Sequence, residues 1–164
     1  MRGLFAALAL PLLAACAAAP APDSAEGFGS APALAFAASA APPSFDSFEA
    51  ALNGVRASAG LGTLRSHPRL AAAAAAHARD MAAHDYHSHR GRNGSTAQQR
   101  ALRAGCGAGY LAENIAWGQP DEGRVFTGWM ASPSHHRNMM GRPYGVYGLG
   151  EADGMWVLMF ADRC

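Results

Sequence analysis

The sequence predicts a mixed α+β domain in which several helices precede a closing antiparallel hairpin. Apolar residues recur at helical spacing where the domain begins, at Phe48, Leu52 and Val55. Two runs of larger apolar residues end the chain, and Asp153-Gly154 between them is typical of a tight hairpin turn. Because the helices come before the hairpin, we expect the sheet to be antiparallel.

The first two helices are delimited by residues that commonly begin and end helices. The first is predicted to follow Ser44, a residue type favoured at N-caps, and to end at Gly60. The second begins at Pro68, which suits a first helical position, and its alanine-rich stretch ends at His84.

The later elements follow from turn residues and from the spacing of apolar side chains. In chain order they are a polar loop over 85–95, a short helix over 96–104, a strand over 110–117, a helix over 122–131 that stops before Pro133, and strands over 144–150 and 155–161.

Residues 1–15 have the features of a bacterial lipoprotein signal peptide. Arg2 precedes an apolar run over 3–13, which is shorter than the roughly 20 residues that span a bilayer as a helix. The run ends in Leu13-Ala14-Ala15-Cys16, which resembles a lipobox, so Cys16 is predicted to carry a lipid and to become the mature N-terminus. The alternative is an ordinary signal peptide cut a few residues further on, with Cys16 incidental.

The remaining chain divides by composition. Residues 16–43 are rich in Ala, Pro, Ser and Gly, which predicts a tether, and residues 44–164 form the predicted domain. A net charge of +1 argues against nucleic acid as a partner. The expected partner is a membrane, reached through the lipid on Cys16. Ala17 gives no retention signal of the Asp kind, which favours the outer membrane, facing the periplasm.

Histidines and one carboxylate mark the candidate chemistry. Among the seven His of the chain, three cluster after the second helix and two follow the fourth. Glu113 lies in the middle of a predicted strand, where a buried carboxylate needs a partner: a His, backbone N–H groups or an Arg. His67, His77 and His84 are expected on helix surfaces or ends. Trp117, Trp129 and Trp156 are expected in the core, with cleft lining as the alternative for Trp117.

Four ordered motifs resemble the bacterial branch of the CAP superfamily, also called SCP-like after the cysteine-rich secretory proteins. They are His84-Asp85-Tyr86-His87-Ser88-His89 with Gly91 and Gly94; Glu113-Asn114-Ile115-Ala116-Trp117-Gly118; Trp129-Met130-Ala131-Ser132-Pro133-Ser134-His135; and Asn138-Met139-Met140. Leu52-Asn53 with Arg56, and Gly148-Leu149-Gly150 with Trp156 and Phe160, agree in order and spacing, so the resemblance runs from about Phe48 to Phe160.

The resemblance implies a three-layered α-β-α sandwich with a surface cleft lined by His and Glu. His89, Glu113 and His135 match the cleft positions of the family. A second Glu, found in many eukaryotic members, is replaced here by Ser132, so the set of two His and two Glu is incomplete.

Two His and one carboxylate suit a divalent metal such as Zn²⁺ or Cu²⁺, but they also suit a buried hydrogen-bonded cluster that ties loops to the sheet. The long-range spacing lacks the His-x-x-x-His of a metallopeptidase helix. The expected role is therefore binding of a lipid, a cell-wall component or another envelope protein. The alternatives are a metal-dependent hydrolase of peptide or peptidoglycan, and a purely structural surface module.

The cysteine count predicts one disulfide. The chain contains three Cys, and a lipid on Cys16 leaves Cys106 and Cys164 to pair in an exported protein. Such a bridge would pin the end of the chain beside the strand that carries Glu113.

Overall fold

The structure, a computed structural model, describes residues 47–164. The predicted signal peptide, Cys16, the tether and Ser44 lie outside these residues. In chain order the elements are α1 (Phe48–Ser58), β1 (Arg65–Ser66), α2 (Pro68–His84), α3 (Ala97–Arg103), β2 (Leu111–Trp117), α4 (Glu122–Ala131), α5 (Pro133–Met139), β3 (Val146–Ala152) and β4 (Met155–Ala161). Within this part of the chain, no helix has the length and apolarity needed to cross a membrane.

The predicted bounds of α2, α4 and β4 are confirmed, and two helix starts differ from the prediction. The N-cap of α1 is Ser47, whose Oγ accepts a hydrogen bond from the Ala50 N–H at 3.1 Å. The sequence predicts a helix that stops before Pro133 and no helix directly after it, and the structure differs from this prediction. Pro133 instead opens α5, where the N–H that proline lacks would have no helical partner.

Four strands form one sheet in the order β1-β3-β4-β2. The three long strands pair antiparallel, as predicted, and β2 and β3 flank β4. The two-residue strand β1, which was not predicted, pairs parallel with β3 at the edge. Asp153 and Gly154 both have positive φ values, 48° and 76°, as a two-residue hairpin turn requires.

Successive side chains of β4 point to opposite faces of the sheet and pack in two different cores. Trp156, Leu158 and Phe160 face a core formed with α1, α4 and α5, whereas Val157 and Met159 face a core formed with α2 and α3. Both faces of the sheet are therefore covered by helices, which confirms the predicted three-layered α-β-α sandwich.

Two glycines in β3 allow α2 to lie unusually close to the sheet. A Cβ at Gly148 would lie 2.3 Å from the backbone N of Ala71, and a Cβ at Gly150 would lie 2.2 Å from that of Ala75. The alanine-rich sequence of α2 complements these glycines, because small side chains on both partners leave room for the close approach.

A disulfide joins Cys106 and Cys164, the pair left by the cysteine count, across 58 residues of sequence. Cys106 is fully buried in the core between α2, α3 and the sheet. The bridge therefore holds the end of the chain against the segment that leads into β2.

Candidate functional site

The site is built around Glu113, in the middle of the edge strand β2. Its side chain is 3% exposed, and each carboxylate oxygen has a partner. Oε1 accepts a hydrogen bond from Nδ1 of His89 at 2.9 Å, and Oε2 accepts one from Nη2 of Arg100 at 2.6 Å. The buried negative charge is thus compensated on one side by a guanidinium and held on the other by an imidazole.

Arg100 is the residue of this site that the sequence reading did not identify, although an Arg was among the partners considered for Glu113. It lies on α3, is 8% exposed, and also donates to the carbonyl oxygens of Ser95 (2.9 Å) and His89 (3.1 Å). Arg100 therefore holds the loop that carries His89 as well as the carboxylate. The sequence does contain a pattern that indicates its burial. Arg100 shares one helical face with three small residues, Ala97, Ala101 and Ala104, and such a face packs inward.

A capping box sets where α3 begins, and therefore where Arg100 points. Thr96 Oγ1 accepts from the Gln99 N–H at 3.3 Å, and Gln99 Oε1 accepts from the Thr96 N–H at 3.0 Å. This reciprocal pair fixes the first turn of the helix. Its second member, Gln99, directly precedes Arg100.

His89 combines a fixed orientation with an open surface. An ionised carboxylate is an acceptor only, so Nδ1 must carry the proton that it donates to Glu113. In the neutral ring, Nε2 then has a free lone pair, and it makes no hydrogen bond to another described residue. The side chain is 59% exposed and lines, with Glu113, Thr96 and Ala97, a pocket of about 390 Å³ that we call the His89 pocket.

Asn114 faces the opposite side of β2 and positions α5. It is fully buried, its Nδ2 donates to the His135 carbonyl oxygen at 3.2 Å, and its Oδ1 accepts from Asn138 Nδ2 at 2.8 Å. Asn138 also donates to the Glu113 carbonyl oxygen at 3.3 Å. These bonds tie α5, and with it His135, to the strand that carries Glu113.

The structure places His135 near His89 but in a different depression. Burial lowers the pKa of His135 below its usual range, and the neighbouring His89 lowers it further. His135 lines a groove of about 300 Å³ together with Ile115, Trp117 and Trp129, which we call the Trp117 groove. His89 and Glu113 are therefore in direct contact, and His135 lies close enough to His89 to feel its charge.

Trp117 lies at the surface, so the expectation that it belongs to the core was wrong. It is 52% exposed, and its ring stacks on His87 with a centroid separation of 4.1 Å. Trp129 and Trp156 are buried, as predicted. The expectation for His77 was wrong, because this residue is 1% exposed and bonds the Ser88 carbonyl oxygen through Nε2 at 2.8 Å.

The arrangement does not fit a three-ligand metal site. Within residues 47–164, no three His, Cys, Asp or Glu side chains are placed to hold one ion. Both oxygens of Glu113 are engaged, and the guanidinium of Arg100 beside them disfavours a second cation. Binding of Zn²⁺ or Cu²⁺ stays a prediction, and it requires the side chains of His89, Glu113 and His135 to rearrange.

Comparisons with known proteins agree with this fold. The model of the cysteine-rich secretory protein family, CAP, matches residues 49–153. An extracellular protein with an SCP domain from Bacillus anthracis superposes with a TM-score of 0.67 and 26% identity, over 70% of this chain and 38% of that one. The chain thus spans well under half of that protein's length.

Two further solved structures share the fold at lower identity. An outer surface protein of Borrelia burgdorferi superposes with a TM-score of 0.62 and 21% identity, over 71% of this chain and 90% of that one. A cysteine-rich secretory protein of Staphylococcus aureus gives 0.60 and 16%, over 70% and 36%. No curated protein sequence matches the chain. Since the family model covers more than half of its residues, the chain belongs to the cysteine-rich secretory protein (CAP) family.

Proposed function

We propose that this protein is an exported, lipid-anchored protein of the bacterial envelope that binds a lipid or a cell-wall component in its cleft. The observation that carries the binding role is the exposed His89 imidazole, which is held in one orientation by the buried Glu113–Arg100 pair. A polar group that is fixed before the ligand arrives loses little conformational entropy on binding.

The surroundings of His89 favour a ligand with both polar and apolar parts. The His89 pocket offers the Nε2 lone pair as a hydrogen-bond acceptor. Further along β2, the Trp117 groove is lined by Ile115, Val125 and Trp129. Exposed aromatic rings supply apolar contact area with little loss of rotamer freedom. Lipids and glycan-peptide fragments both combine these two kinds of surface.

Several observations support export and anchoring. The N-terminal segment has the pattern of a signal peptide that ends in a lipobox. Disulfides such as Cys106–Cys164 persist in oxidising compartments. Two of the similar structures are described as an extracellular protein and an outer surface protein. A mature N-terminus at Cys16 that carries acyl chains in mass spectrometry is the expected result, and an unmodified one would remove the anchor.

Calorimetric titration tests the binding role. The full chain is titrated with soluble peptidoglycan fragments and, separately, with a short-chain monoacylglycerol, a lipid without an anionic group. We expect saturable binding of one of them, weakened at least about tenfold by His89→Ala, which corresponds to about 1.4 kcal/mol. His84→Ala is the matched control, because His84 is also an exposed histidine but bonds only to Asp80. Equal binding by both variants would contradict a role for His89.

A hydrolase is the second candidate, and the same His89–Glu113 pair favours it. An imidazole that donates through Nδ1 to a carboxylate presents the Nε2 lone pair in a fixed direction, as a general base requires. We expect any hydrolysis of a peptide or peptidoglycan panel to fall at least about 100-fold in His89→Gln. Turnover that persists in this variant would assign the activity elsewhere.

A further inference from the structure

A separate pocket of about 530 Å³ lies between α2, α3 and the loop that joins them. Its volume is within the range of small-molecule sites, roughly 300–1,000 Å³. It shares Arg100 with the cluster around Glu113, but neither His89 nor Trp117 lines it. Three arginines, Arg92, Arg100 and Arg103, contribute to its lining, so we call it the arginine pocket.

Two of these arginines have no charge partner among the described residues. Arg92 and Arg103 are exposed at the pocket, and neither guanidinium makes an ion pair or hydrogen bond with another residue of 47–164. Arg100 lies in the pocket wall with its charge compensated by Glu113, but its Nε–H is buried and lacks an acceptor. Arg92 and Arg103 therefore give the pocket its unused accessible donors and unused positive charge.

The negative charge that faces these arginines is already engaged. Asp80 is the only carboxylate among the described residues that line the pocket. It accepts a hydrogen bond from the Tyr86 hydroxyl and contacts His84 Nδ1 at 3.2 Å. His77 is held neutral at pH 7, because burial lowers its pKa and the charge of Arg100 lowers it further. The lining thus keeps a net positive charge.

The floor of the pocket is apolar. It is formed by alanines of α2 and α3, namely Ala72, Ala73, Ala76 and Ala104. Methyl groups beside guanidiniums suit a ligand that has an anionic group at one end and a short apolar portion at the other.

We propose that the arginine pocket binds a small organic carboxylate or phosphate. Its oxyanion is held by Arg92 and Arg103, and its apolar portion lies on the alanine floor. A planar guanidinium matches the oxygens of either anion with two parallel hydrogen bonds. The site is independent of the binding role proposed for His89, since none of the residues tested below lines the His89 pocket or the Trp117 groove.

Calorimetric titration of the full chain with hexanoate and with inorganic phosphate tests the proposal, with hexanol as the uncharged control. We expect saturable binding of hexanoate, and about 10- to 100-fold weaker binding in Arg92→Gln and Arg103→Gln, as the loss of a charged hydrogen bond implies. Arg124→Gln, which changes an exposed arginine of α4 on the other face of the sheet, should bind hexanoate like the unaltered chain. Ala76→Leu, which fills the floor, should weaken hexanoate more than phosphate.

Three results would overturn the proposal. The first is no saturable binding of either anion by the unaltered chain. The second is a loss in Arg124→Gln as large as that in Arg92→Gln, which would indicate a general charge effect. The third is hexanol binding as tight as hexanoate binding. Because Arg92 and Arg103 are exposed, their variants should keep the urea midpoint of the unaltered chain, which separates loss of binding from loss of fold.

Discussion

Replacing Glu113 with leucine should destabilise the domain by about 3–5 kcal/mol, because the guanidinium of Arg100 would remain buried without its carboxylate. Arg100 is 8% exposed, and its Nη2 lies 2.6 Å from Oε2 of Glu113. Two carbonyl oxygens would remain as acceptors, but they carry no full negative charge to compensate the cation. The variant therefore tests whether the support beneath His89 is a buried ion pair.

Urea unfolding, followed by tryptophan fluorescence and extrapolated linearly to water, measures the loss. The matched control is His89→Ala, which removes the exposed partner of the same carboxylate and should cost only about 0–1 kcal/mol. The double variant Glu113→Leu/Arg100→Met removes both buried charges, so it should lose less than the sum of the two single variants. A loss below about 1 kcal/mol in Glu113→Leu, or equal losses in Glu113→Leu and His89→Ala, would contradict a buried Glu113–Arg100 ion pair.

Three further predictions concern packing, the disulfide and pH. Gly148→Ala should lower the free energy of unfolding by about 1–3 kcal/mol, because the added methyl group clashes with α2. Gly54→Ala lies in an open part of α1 and should raise the free energy of unfolding by about 0.5–1 kcal/mol. A loss of stability in both variants, measured by urea unfolding, would contradict the close packing of α2 on β3. Cys164→Ser should lower the free energy of unfolding by about 2–4 kcal/mol, because it removes the disulfide that closes the loop from Cys106. Equal thermal midpoints for the oxidised and the reduced unaltered chain would contradict this prediction. The pKa of His77 is lowered by burial in the folded state, so its stabilising contribution is complete above the unfolded value of 6.5 and is lost as the pH falls below it. Below pH 6.5 the free energy of unfolding should drop by at most about 1.4 kcal/mol per pH unit through this residue, and titration in urea at several pH values should show a shallower drop in His77→Gln.

The sequence predicted best those features that depend on local patterns. The bounds of α2 follow from Pro68 and from the end of the alanine run, and the hairpin turn follows from Asp153-Gly154. The family motifs indicated His89 and Glu113, because each motif is a short run of residues and the motifs follow one another in the order typical of the family. Each of these features could be predicted from a short stretch of sequence.

Features that depend on tertiary contacts were missed. Arg100 reaches Glu113 because α3 packs on one face of β2, and nothing local distinguishes it from the exposed Arg103 except the spacing of its neighbouring alanines. His77 can be buried because its Nε2 forms a hydrogen bond with the Ser88 carbonyl oxygen, which lies in the loop after α2. The two-residue strand β1 exists only through its pairing with β3 and carries too few residues for a periodic signal.

The position of His135 shows how a motif can indicate a residue without its geometry. The motif predicted His135 as a partner of His89 and Glu113, and in the structure His135 lies near His89. Its position depends on tertiary bonds that no local pattern reveals, because Asn114 of β2 bonds the His135 carbonyl oxygen and Asn138 of α5.

Native mass spectrometry of the full chain, purified gently from the cells that produce it, tests the proposed binding role most directly. We expect one non-covalent mass addition that is present in the unaltered chain and in His84→Ala and is absent in His89→Ala. No retained mass in any of the three proteins, in repeated preparations, would contradict a binding role and would favour a structural surface module.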